Sequence, residues 1–131
     1  MTATSTATSA AETVHLELPP EPRYVRMARL VGAGLANELG LDLDRLDDVR
    51  LAIGEACSLA VQSGAARVIL DFGLGESSLD IVVEAAVAGD VPDLGDEAAL
   101  TEQILSVACS AHELSRSDSG WQLRMTFDGG S

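Results

Sequence analysis

The spacing of apolar residues changes at Gly64, and this change constrains the fold more than any other feature of the 131-residue chain. Before it, residues 21–63 repeat their apolar positions at intervals of three and four, which is typical of amphipathic helices. After it, residues 68–72 and 79–85 largely alternate apolar and polar side chains, as strands with one buried face do. The whole chain predicts the order strand, helix, helix, strand, strand, helix, strand, strand. One-sided strands and amphipathic helices predict an α+β, two-layer sandwich, with three helices on one face of a mostly antiparallel sheet.

Residue types at the helix ends predict where each helix begins and stops. The first is predicted over residues 21–39, and the second over residues 44–63 with Asp44 as its N-cap. The third is predicted over residues 96–109. The predicted buried residues are Val25, Ala28, Gly32, Leu35 and Leu39 on the first helix, Leu46, Val49, Ile53, Cys57 and Ala60 on the second, and Leu100, Ile104, Val107 and Ala108 on the third.

The first residues differ in composition from the rest of the chain. Residues 1–12 are rich in Thr, Ala and Ser, which predicts a disordered tail before a single domain over residues 13–129. The start lacks the basic residues and apolar block of a secretory signal, and no apolar run is long enough for a membrane span. Cys57 and Cys109 lie in apolar helical stretches and form no metal-binding pair, so buried, reduced thiols are expected. We therefore expect a cytoplasmic protein with no metal site.

The chain is strongly acidic, with 21 Asp and Glu residues against 8 basic residues, and a formal net charge of −13. Every basic residue is an arginine. Bare DNA and anionic lipid repel such a chain, so direct binding to nucleic acid or to a membrane is not expected. The charge favours a basic protein partner, and the alternative is a surface that is charged only for solubility.

Residues 20–64 carry the most informative stretch, PEPRYVRMARLVGAGLANELGLDLDRLDDVRLAIGEACSLAVQSG. This stretch resembles the first half of bacterial anti-sigma factors that are also serine-protein kinases. That family has the histidine-kinase-like ATPase fold, also called the GHKL or Bergerat fold, and its element order agrees with the one predicted over residues 14–128. The resemblance implies a regulator of transcription in the stress response, which binds a sigma factor or a small antagonist protein.

The second helix matches only half of the family's catalytic motif. In the family this helix carries a Glu and, four positions later, an Asn, so that both side chains lie on one face. The resemblance gives the Glu the role of general base and the Asn that of holding Mg²⁺. Glu55 matches the base. Leu59 stands at the position of the Asn, and its side chain has no oxygen that could bind the metal.

The adenine-binding motif of the family is also altered. The resemblance places an Asp and two glycines at alternate positions after the third strand, and the matching residues here are Ala85, Val87 and Gly89. The glycine-rich lid has no counterpart in residues 95–106. These differences imply a pseudokinase that has no active catalytic residue and no resident cofactor, and binds ATP and Mg²⁺ weakly at most. The alternative is a divergent serine-protein kinase that still binds Mg-ATP.

The outer side of the first helix combines arginines with exposed apolar residues. At 100° per residue, Arg23, Arg26, Met27 and Leu30 fall opposite the predicted buried stripe. Arginine beside apolar side chains is favoured at protein interfaces, although a solvated helix with two stray apolar residues is the alternative. The resemblance aligns the family's partner-contacting arginine with Arg29. We name these five residues the α1 patch, and we keep a non-catalytic subunit that dimerises with an intact homologue, or a homodimer, as further alternatives.

Overall fold

The computed structural model describes residues 12–129. The predicted tail, residues 1–12, lies outside the described residues except for Glu12, which begins the first strand. The elements are, in chain order, β1 (Glu12–Leu18), α1 (Pro22–Glu38), α2 (Leu43–Gln62), β2 (Arg67–Leu74), β3 (Ser78–Ala86), α3 (Gly95–Ala108), β4 (Ala111–Ser117) and β5 (Gly120–Asp128). The predicted element order and fold class are confirmed.

The strands form one sheet in the order β1-β2-β3-β5-β4, and its four pairings are antiparallel. Alternate side chains of the central strands face the helices and are buried, namely Leu79, Ile81, Val83 and Ala85 of β3 and Trp121, Leu123, Met125 and Phe127 of β5. The opposite face carries polar pairs such as His15 and Asp71, whose Nδ1 and Oδ1 atoms lie 2.6 Å apart. The hydrogen bond to Asp71 raises the pKa of His15 above its ordinary value.

Helix α2 is the central helix of the layer and contacts α1, α3 and the strands β2, β3 and β5. Its predicted buried face, from Leu46 to Ala60, is confirmed. The predicted N-cap is wrong, because Asp42 and not Asp44 accepts the hydrogen bond from the backbone N–H of Arg45, at 2.9 Å. Both residues are good N-caps, but Asp42 has the extended backbone that directs its carboxylate toward this N–H.

Helix α1 lies close to α2 because a glycine occupies the contact. A Cβ atom on Gly32 would lie 2.2 Å from Cδ1 of Ile53. The residues of α1 that are buried are Val25, Ala28, Gly32, Ala33 and Ala36. Leu35 and Leu39, which were predicted to be buried, are only half-buried. They lie at the edge of the sheet, where they line a groove together with residues of β1, the edge strand.

Helix α3 differs most from the sequence prediction. Leu100 and Val107 are 59% and 84% exposed, and Ile104 is half-buried, so of the predicted stripe only Ala108 is fully buried. The buried face is instead Ala98, Thr101, Leu105 and Ala108. The smaller of these side chains let α3 lie close to α2 and β4, which it contacts. Each large aliphatic side chain left in water forgoes roughly 1.5–3 kcal/mol of burial free energy.

Both cysteines are free and buried, as predicted. Burial raises the pKa of each thiol to about 12, so both stay protonated and unreactive at neutral pH. Between residues 12 and 129, no group of three or more His, Cys, Asp or Glu side chains is placed to hold a metal ion. None of the helices in this range has the length and apolar character that crossing a membrane requires.

Two glycines of α1 provide a matched test of the contact between α1 and α2. Gly32→Ala should destabilise the protein by about 1–2 kcal/mol, because overpacking against Ile53 outweighs the gain in helix propensity. Gly34→Ala should instead stabilise it by about 0.5–1 kcal/mol, because no described residue outside the adjoining turns of α1 comes within 4 Å of the added Cβ. Urea unfolding measures both free energies. Equal effects of the two substitutions would contradict the close contact.

Candidate functional site

The residues named from the nucleotide motifs lie on α2, on β3 and in the loop after β3. Leu59 is 2% exposed and Ala85 is 0% exposed, and both belong to the core that α2 and β3 share. Glu55, one turn before Leu59, is half-buried, and its carboxylate forms no hydrogen bond or ion pair with the described residues. Gly89 is exposed, with a φ of +89°. The structure therefore brings Leu59 and Ala85 into the core, while Glu55 and Gly89 remain at the surface.

A buried tryptophan occupies the sheet beside Ala85. Trp121 of β5 is the cross-strand partner of Ala85, and its indole N–H donates a hydrogen bond to the hydroxyl of Ser63 at 3.2 Å. The Ser63 hydroxyl in turn donates to the carbonyl of Ala60 at 2.9 Å. Trp121 thus ties the end of α2 to the sheet. The sequence analysis did not assign this role. The alternation of Trp121, Leu123, Met125 and Phe127 with polar residues is the signal that could have indicated a core position.

The side chains in this region have little chemistry to offer a nucleotide. Mg²⁺ needs oxygen ligands, and the side chain of Leu59 has none. The side chain of Ala85 has no group that could form a hydrogen bond with adenine. The first turn of α3 carries Asp96 and Glu97, and their negative charges oppose a phosphate that would approach there. Glu55 keeps a carboxylate that could act as a base, but Leu59, one turn later on the same helix face, has no side-chain oxygen that could hold a metal.

Four of the five residues of the α1 patch, Arg23, Arg26, Met27 and Leu30, are exposed, as the helical spacing predicted. Met27 and Leu30 are 53% and 65% exposed. Arg23 forms an ion pair with Glu21 at 3.0 Å, and its guanidinium carbon lies 5.0 Å from the centre of the neighbouring tyrosine ring. Arg26 is exposed and forms no ion pair or side-chain hydrogen bond with any residue between 12 and 129.

Arg29 lies between α1 and α2, rather than only at the edge of the patch. A Cβ atom on Gly54 would lie 3.0 Å from Nη1 of Arg29 and 3.5 Å from its Cδ, so the side chain crosses α2 directly above this glycine. Its charge is close enough to Cys57 to favour the thiolate, against the larger effect of burial on that thiol's pKa. Arg29 is half-buried, and it too has no carboxylate partner in the described part of the chain. A glycine inside a helix indicates such a close approach, but the sequence does not show which residue approaches.

A groove with a cavity volume of about 330 Å³ lies beside Arg29, between α1 and α2. The residues that line it are Pro22, Val25, Arg29, Ser58, Val61 and Gln62. It therefore combines an apolar wall, two neutral polar side chains and one unpaired guanidinium. Such a groove can hold an apolar side chain next to a carboxylate, since arginine binds carboxylates through two parallel N–H groups.

The model of a known protein family, described as histidine kinase-like ATPase domain, matches residues 18–127. This span runs from the end of β1 to the last residues of β5 and includes the three helices. The chain belongs to this family. The membership agrees with the layer of three helices on a five-stranded antiparallel sheet.

Curated relatives of the chain carry the name serine-protein kinase RsbW. The protein from Bacillus licheniformis is 35% identical over 94 residues, which are 67% of this chain and 57% of that protein. The protein from Bacillus thuringiensis is 36% identical over 76 residues, which are 55% of this chain and 48% of that protein. The protein from Bacillus velezensis is 33% identical over 75 residues, which are 53% of this chain and 47% of that protein. The chain thus spans about half the length of these relatives, and the resemblance seen in residues 20–64 is confirmed.

The burial of Leu59 has a direct consequence for stability. Leu59→Asn restores the metal ligand of the family but places an amide in the core, where an unsatisfied polar group costs about 1–3 kcal/mol. We expect a loss of at least about 2 kcal/mol in the free energy of unfolding, once the lost apolar contact is included. Leu51→Asn is the matched control on the same helix, because Leu51 is half exposed to solvent. Its effect should stay within about 0.5 kcal/mol. If Leu59→Asn left the protein as stable as the parent, this position would open into a solvated pocket.

Proposed function

We propose that this domain is an anti-sigma-factor-like regulator of transcription, which binds a sigma factor or an antagonist protein in the cytoplasm through the α1 patch. One observation carries the proposal. Of the eight arginines, six form an ion pair, a hydrogen bond or another electrostatic contact, whereas Arg26 and Arg29 form no ion pair or hydrogen bond with any described residue. These two arginines belong to the same helix as the exposed Met27 and Leu30.

Unpaired arginines are unexpected in a protein that has 21 acidic residues. Helix α1 has no carboxylate three or four positions from Arg26 or Arg29, whereas α2 pairs its Arg45 with Asp48 at 2.9 Å. Arginine and methionine are both enriched at protein interfaces. The α1 patch is therefore suited to an acidic and apolar surface on a partner, and its charge would fix the register of binding.

We infer further that the domain is a pseudokinase, which means that it has a kinase fold and does not transfer phosphate. Phosphoryl transfer depends on holding the nucleotide in place and neutralising its charge, and the buried Leu59 and Ala85 support neither. Loss of the hydrogen bond to adenine alone weakens binding by about one to two decades. Two observations favour the alternative of a divergent serine-protein kinase: the half-buried Glu55 and the name of the relatives. The third candidate, a non-catalytic subunit paired with an intact homologue, would show itself by co-purification of that homologue.

Mg-ATP should leave the melting temperature unchanged at millimolar concentration. A ligand present at 100 times its dissociation constant would add about 2.7 kcal/mol of stability, which differential scanning fluorimetry detects easily. Mg-ADP serves as a second nucleotide, and EDTA as the control for metal dependence. A clear upward shift with Mg-ATP that EDTA abolishes would support the divergent kinase instead.

Arg29→Ala should weaken binding to a co-purified sigma factor or antagonist by about 30-fold or more, because a buried arginine anchor is typically worth at least about 2 kcal/mol. The loss should appear mainly in the dissociation rate. Arg23→Ala, at the rim, should change the salt dependence of association more than the affinity. Surface plasmon resonance separates these rates.

The matched control for Arg29→Ala is Arg67→Ala. Arg67, at the start of β2, is an exposed arginine outside the α1 patch, and it pairs with Glu17 of β1 at 2.9 Å. The Arg67→Ala variant should bind the partner as the parent does, and circular dichroism should show all variants folded. Full affinity in Arg29→Ala combined with lost affinity in Glu55→Ala would place the contact at the former nucleotide site and refute the α1 patch.

A further inference from the structure

Helix α3 exposes a row of large aliphatic side chains that nothing in the described chain covers. Leu100 and Val107 are largely exposed, and Ile104 lies half-buried between them. Residues at i, i+4 and i+7 share one helix face, so these three form a continuous row over about two turns. We name this row the α3 stripe. A contiguous apolar row on a surface helix marks an interaction site more often than a lone exposed leucine does.

The position of Glu102 shows which way the α3 stripe points. Its carboxylate lies 3.3 Å from Nε2 of His112 on β4, the strand at the edge of the sheet. Leu100 and Ile104 are each two residues from Glu102, so each lies about 160° from Glu102 around the helix axis. The α3 stripe therefore points away from the sheet edge at β4, and it is distinct from the buried face of Ala98, Thr101, Leu105 and Ala108.

The surroundings of the α3 stripe are acidic and lack a free positive charge. Helix α3 contains no basic residue, and its first turn carries Asp96 and Glu97, which form no ion pair with the described residues. Three arginines lie on the neighbouring elements α2 and β4, and all three are engaged. Arg50 pairs with Asp47 at 3.0 Å. Arg45 pairs with Asp48 at 2.9 Å, and Arg116 donates to the carbonyls of Val91 and Pro92 at 3.1 Å. The carboxylates beside the α3 stripe are thus left without counter-charges.

We propose that the α3 stripe binds an amphipathic helix of a partner protein, with aliphatic residues on one face and Lys or Arg beside them. A row with helical spacing packs well against a second helix, since ridges of one helix fit the grooves of the other. The carboxylates at the start of α3 select basic flanks. A second copy of this chain fits poorly, because it would bring a net charge of −13 against the same charge. This surface is separate from the basic α1 patch and does not depend on the function proposed for it.

The test uses the full chain and a synthetic helical peptide of about 14 residues, which gives four turns. The peptide carries Leu on one face and Lys elsewhere, and a second peptide with Glu in place of Lys serves as the charge control. Leu100→Ser/Val107→Ser removes the exposed part of the α3 stripe without changing the net charge. Met27→Ser/Leu30→Ser removes a comparable pair of exposed apolar side chains on α1. Isothermal titration calorimetry measures binding, and circular dichroism checks that both variants fold.

We expect the Leu/Lys peptide to bind the parent chain and to bind Leu100→Ser/Val107→Ser at least about tenfold more weakly. Met27→Ser/Leu30→Ser should change the affinity less than about twofold, and the Leu/Glu peptide should not bind. Four results would overturn the proposal. Three concern the peptides: the Leu/Lys peptide does not bind, the α3 and α1 double variants lose affinity for it equally, or the Leu/Lys and Leu/Glu peptides bind equally well. The fourth is a dimer of the parent chain in analytical ultracentrifugation that Leu100→Ser/Val107→Ser abolishes. The last result would assign the α3 stripe to a second copy.

Discussion

The arrangement of the helical layer depends on how closely α1 and α2 approach each other. The contact has one glycine on each helix: Gly32 faces Ile53, and Gly54 lies under Arg29. At Gly32 the missing Cβ lets the core close between the helices. At Gly54 it leaves room for the side chain of Arg29 to cross α2. The same close approach therefore contributes to stability and fixes the position of an unpaired charge at the surface.

The sequence predicted elements well where the apolar period was strict and only one face could be buried. The strands and the buried face of α2 belong to this class, because each has a single continuous apolar side. Helix α3 does not, since its largest aliphatic residues, Leu100 and Val107, are exposed while Ala98 and Ala108 are buried. Periodicity shows that a helix is amphipathic, but distance to the neighbouring elements decides which face packs. Small side chains allowed α3 to approach its neighbours with a face that the apolar pattern did not favour.

Part of the candidate site could also be predicted from the helical spacing of the sequence. Helical spacing alone placed Arg26, Met27 and Leu30 on the outer face of α1. It could not show that Arg26 and Arg29 lack carboxylate partners among the described residues, because an ion pair can also form with a residue distant in the chain, as Arg67 does with Glu17. Nor could it show that Arg29 reaches Gly54 on the next helix. In the nucleotide motifs, the sequence showed that Leu59 and Ala85 replace the residues of the family. It did not show that both are buried, because their burial depends on how α2 packs on β3.

We propose that a protein partner binds α1 and the groove beside it, and not the region that carries the altered nucleotide motifs. Hydrogen–deuterium exchange of the chain, alone and with a co-purified sigma factor or antagonist, tests this claim most directly. The account predicts slower exchange on binding in residues 22–38 and in the second half of α2, with no change in the loop of residues 87–94. Slower exchange in residues 87–94 together with unchanged exchange in residues 22–38 would contradict it.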